Sequence, residues 1–220
     1  METYADLARL ILERTARLGR TRLVAVDGPS GAGKTVFAGR LAAALGGGGA
    51  GAQEVPVVHT DDLLDGWDDQ FSFWPRLEEW VLGPLRAGRP GRYRRYDWVR
   101  EEFEPGWVTV PAAPVVLLEG VSSGRTAIAP ELTLTAFVTA SARLRLDRAV
   151  SRDGAELLPY LIRWRRGERR HFRTDATAER ADLVVDGAPD EHPAPAESDA
   201  HAGGVGGAAF DPQIHYVRLA

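Results

Sequence analysis

Residues 23–35 read Leu-Val-Ala-Val-Asp-Gly-Pro-Ser-Gly-Ala-Gly-Lys-Thr, and this stretch decides the fold of the chain. Residues 28–35 match the complete G-x-x-x-x-G-K-[ST] pattern. The apolar run before them predicts a buried strand, and residues 34–45 predict a helix that ends in a run of glycines. A phosphate-binding loop needs this context, because the helix that follows points the positive end of its dipole at the phosphates. The alternative, a glycine-rich turn that only joins strand to helix, is disfavoured by the same context.

The loop predicts binding of a nucleoside triphosphate with Mg²⁺, so ATP and Mg²⁺ are the expected cofactors. Lys34 is expected to reach the β- and γ-phosphates, and the Thr35 hydroxyl to ligate Mg²⁺. The predicted nucleotide-binding residues are those of the loop itself: Gly28, Ser30, Gly31, Ala32, Gly33, Lys34 and Thr35.

Lysine usage also indicates a role for Lys34. Of the 27 basic residues, 26 are arginine, and Lys34 is the single lysine. A compact ammonium on a flexible stem acts as a point charge on phosphate, which the planar guanidinium fork of arginine replaces poorly.

Four further apolar runs predict strands, at residues 55–59, 115–118, 132–138 and 183–185. Together with the first strand they predict an α/β fold of the P-loop NTPase type, with a five-stranded parallel sheet flanked by helices. Such sheets hold ligands at the carboxyl ends of their strands. The phosphate loop, the pair Asp61-Asp62 and Glu119 each follow a predicted strand, so we expect these groups to meet in one site.

Composition excludes several classes of protein. The 220 residues carry a formal net charge of −4, which provides no general electrostatic footprint for nucleic acid or an anionic membrane. The absence of cysteine excludes disulfides, thiolate metal sites and cysteine nucleophiles. The charged first eighteen residues do not form the apolar core of a signal peptide. We therefore expect a cytoplasmic protein that binds neither nucleic acid nor membrane; its oligomeric state is not predicted.

The chain divides into a domain over residues 1–187, a linker at 188–209 that lacks a hydrophobic pattern, and an apolar segment at 210–220. The first helix is expected to end at Gly19. Residues 63–112 are too long for a simple crossover, and we interpret them as a substrate-binding insertion. Residues 143–173 form an arginine-rich helical region, called here the lid region.

The order and spacing of these features resemble the uridine kinase and phosphoribulokinase family of P-loop small-molecule kinases, over roughly residues 20–187. The resemblance rests on the phosphate loop, Asp61, the Tyr96-Asp97-Trp98 segment, Glu119-Gly120 and the arginine run at 145–153. Only the phosphate loop is specific by itself. The resemblance implies transfer of the γ-phosphoryl group of ATP to a hydroxyl of a small molecule.

The resemblance also implies roles for the carboxylates. Asp61 matches the catalytic base of the family, with Asp62 as the competing candidate and a helix cap as the alternative for either. Glu119 matches a metal ligand, and its alternative is a strand-end carboxylate paired with an arginine.

In the lid region, Arg148 and Arg152 are expected to neutralise charge on the transferred phosphoryl group. We interpret the other lid arginines as mainly surface residues: Arg163, Arg165, Arg166, Arg169 and Arg170. The five histidines show no metal-ligand spacing and are interpreted as structural or exposed.

The acceptor pocket is expected to be lined by Trp67, Tyr96, Asp97 and Trp98, although the same aromatics would also suit a solvated hairpin. A nucleoside is the leading acceptor. A sugar or another metabolite is the alternative, because the histidine of the family's nucleoside pocket is absent after Trp98. A regulatory ATPase without an acceptor is the hypothesis from a different functional class.

Overall fold

A computed structural model describes residues 1–47, 53–189 and 210–220. Its main feature is a seven-stranded sheet in the order β1-β11-β10-β9-β2-β8-β3. The strands of this sheet are β1 (Glu2–Thr3), β2 (Arg22–Asp27), β3 (Val57–His59), β8 (Val115–Glu119), β9 (Leu132–Thr139), β10 (Leu183–Asp186) and β11 (His215–Arg218). The five strands predicted from the apolar runs form its parallel core, from β10 through β9, β2 and β8 to β3. The α/β fold is therefore confirmed.

The two strands that the sequence analysis missed lie at one edge of this sheet. β11 pairs antiparallel with β10, and β1 pairs antiparallel with β11. The C-terminal segment at 210–220 thus packs on the domain as a sheet strand. Strands of two and four residues carry too little alternation to be recognised from sequence.

Helices cover both faces of the sheet. They are α1 (Tyr4–Glu13), α2 (Lys34–Leu45), α3 (Trp74–Leu77), α4 (Gly83–Arg86), α5 (Ala142–Asp153), α6 (Leu158–Asp175) and α7 (Thr177–Arg180). On one face, α1 and α2 pack through Leu7, Ile11 and Leu41. On the other face, the helical part of the insertion and Trp164 of α6 bury the second apolar cluster.

The first helix is shorter than predicted. α1 ends at Glu13 instead of continuing to Gly19, because Arg14 has an extended backbone. The Arg14 guanidinium donates to the Thr133 carbonyl and to Asp182, and the Arg14 carbonyl accepts from Arg22. These contacts with neighbouring strands stabilise the extended backbone at Arg14, and the apolar pattern that predicted a helix to Gly19 does not show them.

The insertion at 63–112 contains both helical and strand elements. α3 continues through a π-helical turn at Glu78–Leu82 into α4. Two small antiparallel sheets follow, β4 (Gly91–Tyr93) with β7 (Val108–Val110), and β5 (Tyr96–Asp97) with β6 (Glu102–Phe103). Of the predicted linker, Ala188 is buried and Pro189 follows it, while residues 190–209 lie outside the described residues. In the described ranges no helix is long and apolar enough to cross a bilayer.

Candidate active site

The phosphate loop connects β2 to α2, and its glycines allow close backbone approach. Gly28 has φ +138°, and a Cβ there would overlap the Val138 carbonyl oxygen of β9. Gly31 has φ +76°, and its Cβ would overlap the Arg145 carbonyl oxygen of α5. L side chains rarely adopt such φ values, so the loop conformation requires glycine at both positions. The loop is therefore held between the sheet and the lid region.

Asp27 anchors the start of the phosphate loop. Its carboxylate accepts from the main-chain N–H of Gly28 at 2.7 Å, Ser122 at 2.9 Å and Gly124 at 2.8 Å. The side chain is fully buried, and burial raises its pKa to about 7, against the opposing effect of these N–H groups and Lys34. Asp27 thereby ties the phosphate loop to the loop that follows β8.

Lys34, Thr35 and Glu119 meet at the N-terminus of α2. Lys34 is 8% exposed and folds back over the loop, with Nζ 3.3 Å from the Pro29 carbonyl oxygen. The Thr35 hydroxyl lies 3.3 Å from Glu119 Oε2, and His59 Nδ1 lies 2.5 Å from the same oxygen. This hydrogen bond to the carboxylate raises the pKa of His59. Glu119 is thus partnered by a histidine and a threonine, not by an arginine.

Asp61 and Asp62 lie in a 3₁₀ turn at Thr60–Leu63, directly after β3. Asp61 faces the phosphate loop, and its side chain makes no hydrogen bond or cap within the described part of the chain. Water reaches the Asp61 carboxylate in the cleft, but the surrounding protein replaces much of the bulk solvent and so raises its pKa. Glu119 raises this pKa further, while Lys34 and Arg152 lower it. Asp62 instead accepts from the Tyr93 hydroxyl at 3.0 Å.

The two lid arginines lie over the loop. Arg148 donates to the carbonyls of Gly31 at 3.3 Å and Gly187 at 3.1 Å, and Arg152 pairs with Asp153 at 2.6 Å. A cavity of about 200 Å³, called here the phosphate cavity, is lined by the charged residues predicted for catalysis and metal binding. These are Lys34, Asp61, Glu119, Arg148 and Arg152. The structure thus brings together in one cavity residues that are up to 118 positions apart in the sequence, from Lys34 to Arg152.

A second cavity, of about 410 Å³, is lined by Gly33 and Arg148, which also line the phosphate cavity. Val36, Arg40 and the loop Gly187–Pro189 also line the second cavity. It adjoins the N-terminus of α2, where the phosphates of a nucleotide would lie. It therefore has the position and size for the nucleoside part of the donor.

Glu168 of α6 binds the phosphate loop from the lid side. It is 1% exposed, and its Oε1 accepts from the Ser30 main-chain N–H at 2.9 Å, from the Ser30 hydroxyl and from Trp164 Nε1 at 3.1 Å. Trp164 Nε1 also lies 3.1 Å from Ser30 Oγ. These hydrogen bonds join α6 to the phosphate loop in one buried cluster.

Three of the four residues predicted to line the acceptor pocket lie together. The ring centroids of Trp67 and Trp98 are 5.3 Å apart, and those of Tyr96 and Trp98 are 5.1 Å apart. Asp97 has a different role in the structure, because its Oδ1 accepts from the N–H groups of Val99 and Arg100 and closes the turn between β5 and β6. Its geometry is that of a turn residue.

Sequence reasoning missed Asp27, His59, Trp164 and Glu168 as parts of the site. His59 was interpreted as structural or exposed, although it directly precedes the Thr60-Asp61 pair. Glu168 carried a usable signal, because it is the one acidic residue between Glu156 and Asp175 in an arginine-rich stretch. Its spacing of seven from Leu161 and four from Trp164 places it on the buried face of α6.

The donor set fits magnesium in its nucleotide-bound form. Across the described ranges, no group of three or more His, Asp or Glu side chains could hold a metal alone. Mg²⁺ in nucleotide sites commonly takes one or two protein ligands and completes its shell with phosphate oxygens and water. Thr35 and Glu119, 3.3 Å apart, supply such a pair.

Comparisons with known proteins support the fold. No protein-family model matches the sequence. Inorganic pyrophosphatase TTM1 of Arabidopsis thaliana is 30% identical over 141 residues, which are 60% of this chain and 20% of that protein. The chain therefore spans about a fifth of the length of the curated relative that it matches.

Two solved structures are also similar. A candidate uridine kinase from Bacillus stearothermophilus matches with a TM-score of 0.60 at 20% identity, covering 82% of this chain and 96% of that one. A candidate fructose transport system kinase from Silicibacter sp. TM1040 matches with a TM-score of 0.49 at 22% identity, covering 86% and 92%. The first similarity confirms that this chain has the uridine kinase-like P-loop fold that the sequence resemblance implied.

Proposed function

We propose that this chain, which has a uridine kinase-like P-loop fold, transfers the γ-phosphoryl group of ATP to a hydroxyl of a small molecule. The observation that supports this most directly is the phosphate cavity, where Lys34, Asp61 and Glu119 meet at the N-terminus of α2. A phosphate-binding loop alone serves many reactions. Transfer to a hydroxyl additionally requires a carboxylate that can accept the hydroxyl proton. Asp61 can do so, because its side chain makes no hydrogen bond among the described residues.

The loop and the lid region hold and orient the donor. The main-chain N–H groups of the loop and the Lys34 ammonium bind the β- and γ-phosphates. Thr35 and Glu119 would hold Mg²⁺, which when bound would supply positive charge that neutralises the phosphates. Arg148 and Arg152 add positive charge from the opposite side, where it stabilises charge that develops during transfer.

Asp61 acts as the general base in this proposal. It accepts the proton of the acceptor hydroxyl as the acceptor oxygen bonds to the γ-phosphorus and the bond to the β-phosphate oxygen breaks. Lys34 and Arg152 favour the ionised form that this step needs, although the surrounding protein and Glu119 raise the pKa of Asp61. Asp62 does not compete for this role, because Tyr93 and Arg95 of the insertion already bind it.

A nucleoside is the acceptor that we favour. Trp67, Tyr160 and Trp164 provide rings beside the phosphate loop, and planar bases bind well to such rings. A sugar or another metabolite is the alternative within the same chemistry. Slow ATP hydrolysis without an acceptor is the alternative from another functional class, and the experiment below separates it.

Lys34→Ala tests the proposed activity. The variant should lose phosphoryl transfer and keep its secondary structure, because the ammonium contacts the phosphate side of the loop and not the core. Lys34→Arg serves as a matched control that keeps the charge but changes its geometry, and it should also lose most transfer. Acceptors are first found by thermal shift with a non-hydrolysable ATP analogue, and transfer is then measured as phosphorylated product.

Two results would contradict the proposal. Full transfer by Lys34→Ala would show that the lysine does not act on the phosphates. Release of orthophosphate by the unaltered protein, with no acceptor phosphorylated in a nucleoside and sugar panel, would support the hydrolytic alternative.

A further inference from the structure

A larger cavity, of about 620 Å³, lies on the other side of Trp164 from the phosphate loop. It is bounded by segment 67–71 of the insertion and by one face of α6, and we call it the Trp67 cavity. The indole of Trp164 lines the cavity, while its N–H binds Ser30 of the phosphate loop at 3.1 Å. The Trp67 cavity therefore adjoins the loop that would present the γ-phosphate.

One end of the cavity is built of aromatic rings. The ring centroids of Trp67 and Tyr160 are 5.5 Å apart at an interplanar angle of 35°, and Trp164 meets Trp67 edge-on at 5.6 Å. Trp98 supports Trp67 from behind at 5.3 Å. Rings fixed in this way provide apolar faces for a planar ligand, with little loss of side-chain entropy on binding.

The α6 side of the lining carries three arginines. Arg163, Arg166 and Arg170 lie at spacings of three and four on α6 and all line the cavity. Arg163 already pairs with Asp68 at 2.8 Å, whereas Arg166 and Arg170 form no ion pair within the described ranges. Arg166 and Arg170 are exposed, as predicted for the lid arginines, and they also line this cavity. Two guanidinium groups without an ion pair in the described ranges thus lie at the wall of a ring-lined cavity.

Gln70 of the insertion and Gly167 of α6 meet at the wall of the cavity. Gln70 is 8% exposed and donates from Nε2 to the Trp164 carbonyl at 3.2 Å. A Cβ at Gly167 in the middle of α6 would overlap Gln70 Oε1. Glycine inside a helix lowers its stability. At position 167 the missing side chain leaves room for the Gln70 amide at the cavity wall. Gln70 thereby connects the insertion to α6.

We propose that the Trp67 cavity binds the phosphoryl acceptor, and that this acceptor is a nucleoside that also carries an anionic group, as a nucleoside monophosphate does, and accepts the phosphoryl group at a free ribose hydroxyl. The ring packs against the exposed faces of the aromatic side chains, and Arg166 and Arg170 bind the anion through charge-assisted hydrogen bonds. This inference rests on the proposed function, since it specifies the acceptor of the same reaction.

Uridine 5′-monophosphate and uridine form a matched pair of probes, because they differ only in the phosphate. Each is titrated calorimetrically into the unaltered protein saturated with a non-hydrolysable ATP analogue, which would fill the phosphate cavity and the cavity at Gly33. We expect the monophosphate to bind about tenfold or more tightly than uridine, the typical effect of hydrogen bonds to charged groups. The double variant R166Q/R170Q should bind both probes equally, at the affinity of uridine.

The control is R169Q/R173Q, which removes the same charge from α6 at exposed positions that do not line the cavity. It should retain the preference for the monophosphate. Equal losses in both double variants would overturn the proposal in favour of a general electrostatic effect, and so would equal binding of both probes to the unaltered protein. If neither probe binds, the proposal is also overturned. Transfer of phosphate to any neutral acceptor would then show that the proposed kinase function stands without it.

Discussion

Asp61 and Asp62 are adjacent in the sequence but have different partners in the structure. Asp61 lies against the phosphate loop, where Lys34 and Arg152 attract its carboxylate. Asp62 accepts from the Tyr93 hydroxyl, and Arg95 lies 3.4 Å away. Burial and the neighbouring Asp62 raise the pKa of Tyr93 to about 12. One carboxylate is therefore available for chemistry, and the other holds the insertion.

Asp61→Asn should reduce turnover by roughly two to four orders of magnitude, because the amide cannot accept the acceptor proton. The affinity for ATP should change little, since Lys34, Thr35 and the loop N–H groups remain. Asp62→Asn is the matched comparison and should lower thermal stability more than turnover. Steady-state kinetics and ATP titrations measure both. A strong loss of Mg-ATP binding in Asp61→Asn would make Asp61 a metal ligand instead of a base.

Asp27 predicts a pH dependence of stability. The folded state raises its pKa from 3.8 to about 7, so folded protein holds this proton more tightly than unfolded protein. The resulting stabilisation is complete below about pH 4 and is lost as pH rises through about 7. Asp27→Asn cannot titrate, although it also loses an acceptor for one N–H.

The free energy of unfolding of the unaltered protein, relative to that of Asp27→Asn, should therefore fall by on the order of a few kcal/mol between pH 4 and pH 7.5. Urea denaturation of both proteins across this range measures the difference. A difference independent of pH would show that Asp27 is ionised throughout, held so by its three N–H donors.

At the scale of secondary-structure elements, two neighbouring faces of α6 make different contacts. One face carries Glu168 and Trp164 against the phosphate loop, and the neighbouring face carries Arg166 and Arg170 into the Trp67 cavity. Trp164 belongs to both. Because Ser30 is hydrogen-bonded to Glu168 and Trp164, α6 supports the phosphate loop from the lid side.

Glu168→Ala should destabilise the fold by on the order of 3 kcal/mol, because it leaves the Ser30 N–H and the Ser30 hydroxyl without their acceptor. The Trp164 N–H would keep only Ser30 Oγ as its acceptor. It should also weaken ATP binding several-fold, since the loop loses its support from α6. Glu168→Gln keeps one acceptor oxygen and should recover part of both losses. Glu179→Ala, at an exposed position of α7, is the control. ATP affinity unchanged in Glu168→Ala would limit the residue to packing.

At the scale of the whole molecule, the two ends of the chain close the same edge of the sheet. β11 lies between β1 and β10, and Tyr216 packs its ring against Tyr4 at 5.4 Å and Phe37 at 5.6 Å. Phe37 belongs to α2, the helix that begins at Lys34. The C-terminal segment therefore stabilises the layer that carries the phosphate loop.

Tyr216→Ala should reduce the free energy of unfolding by roughly 3–5 kcal/mol, the usual cost of removing a buried aromatic ring. Ile214→Ala, at a side chain that is 52% exposed, should change it by less than about 1 kcal/mol. Midpoints of urea unfolding compare the two variants. Similar midpoints for both would mean that β11 is not docked in solution.

The parallel core and the phosphate loop could be predicted from the sequence alone. Each depends on local information, since buried strands appear as continuous apolar runs and the loop has a fixed spacing of glycines before Lys34. α2 begins at Lys34 and ends at Leu45, as its pattern predicts. Asp61 and Glu119 could also be placed near the loop, because parallel strands bring their carboxyl ends to one edge of the sheet.

The side-chain contacts between different elements could not be predicted and are known from the folded structure. Glu168 and Ser30 are 138 positions apart, and no periodicity within α6 shows that a buried glutamate faces the phosphate loop. Arg166, Arg169 and Arg170 all lie in the same arginine-rich stretch of α6. Arg166 and Arg170 line a cavity, whereas Arg169 does not. Local pattern reports which face of a helix is buried. What that face meets depends on the packing of segments distant in sequence, because contacts form between elements whose relative positions the whole fold fixes.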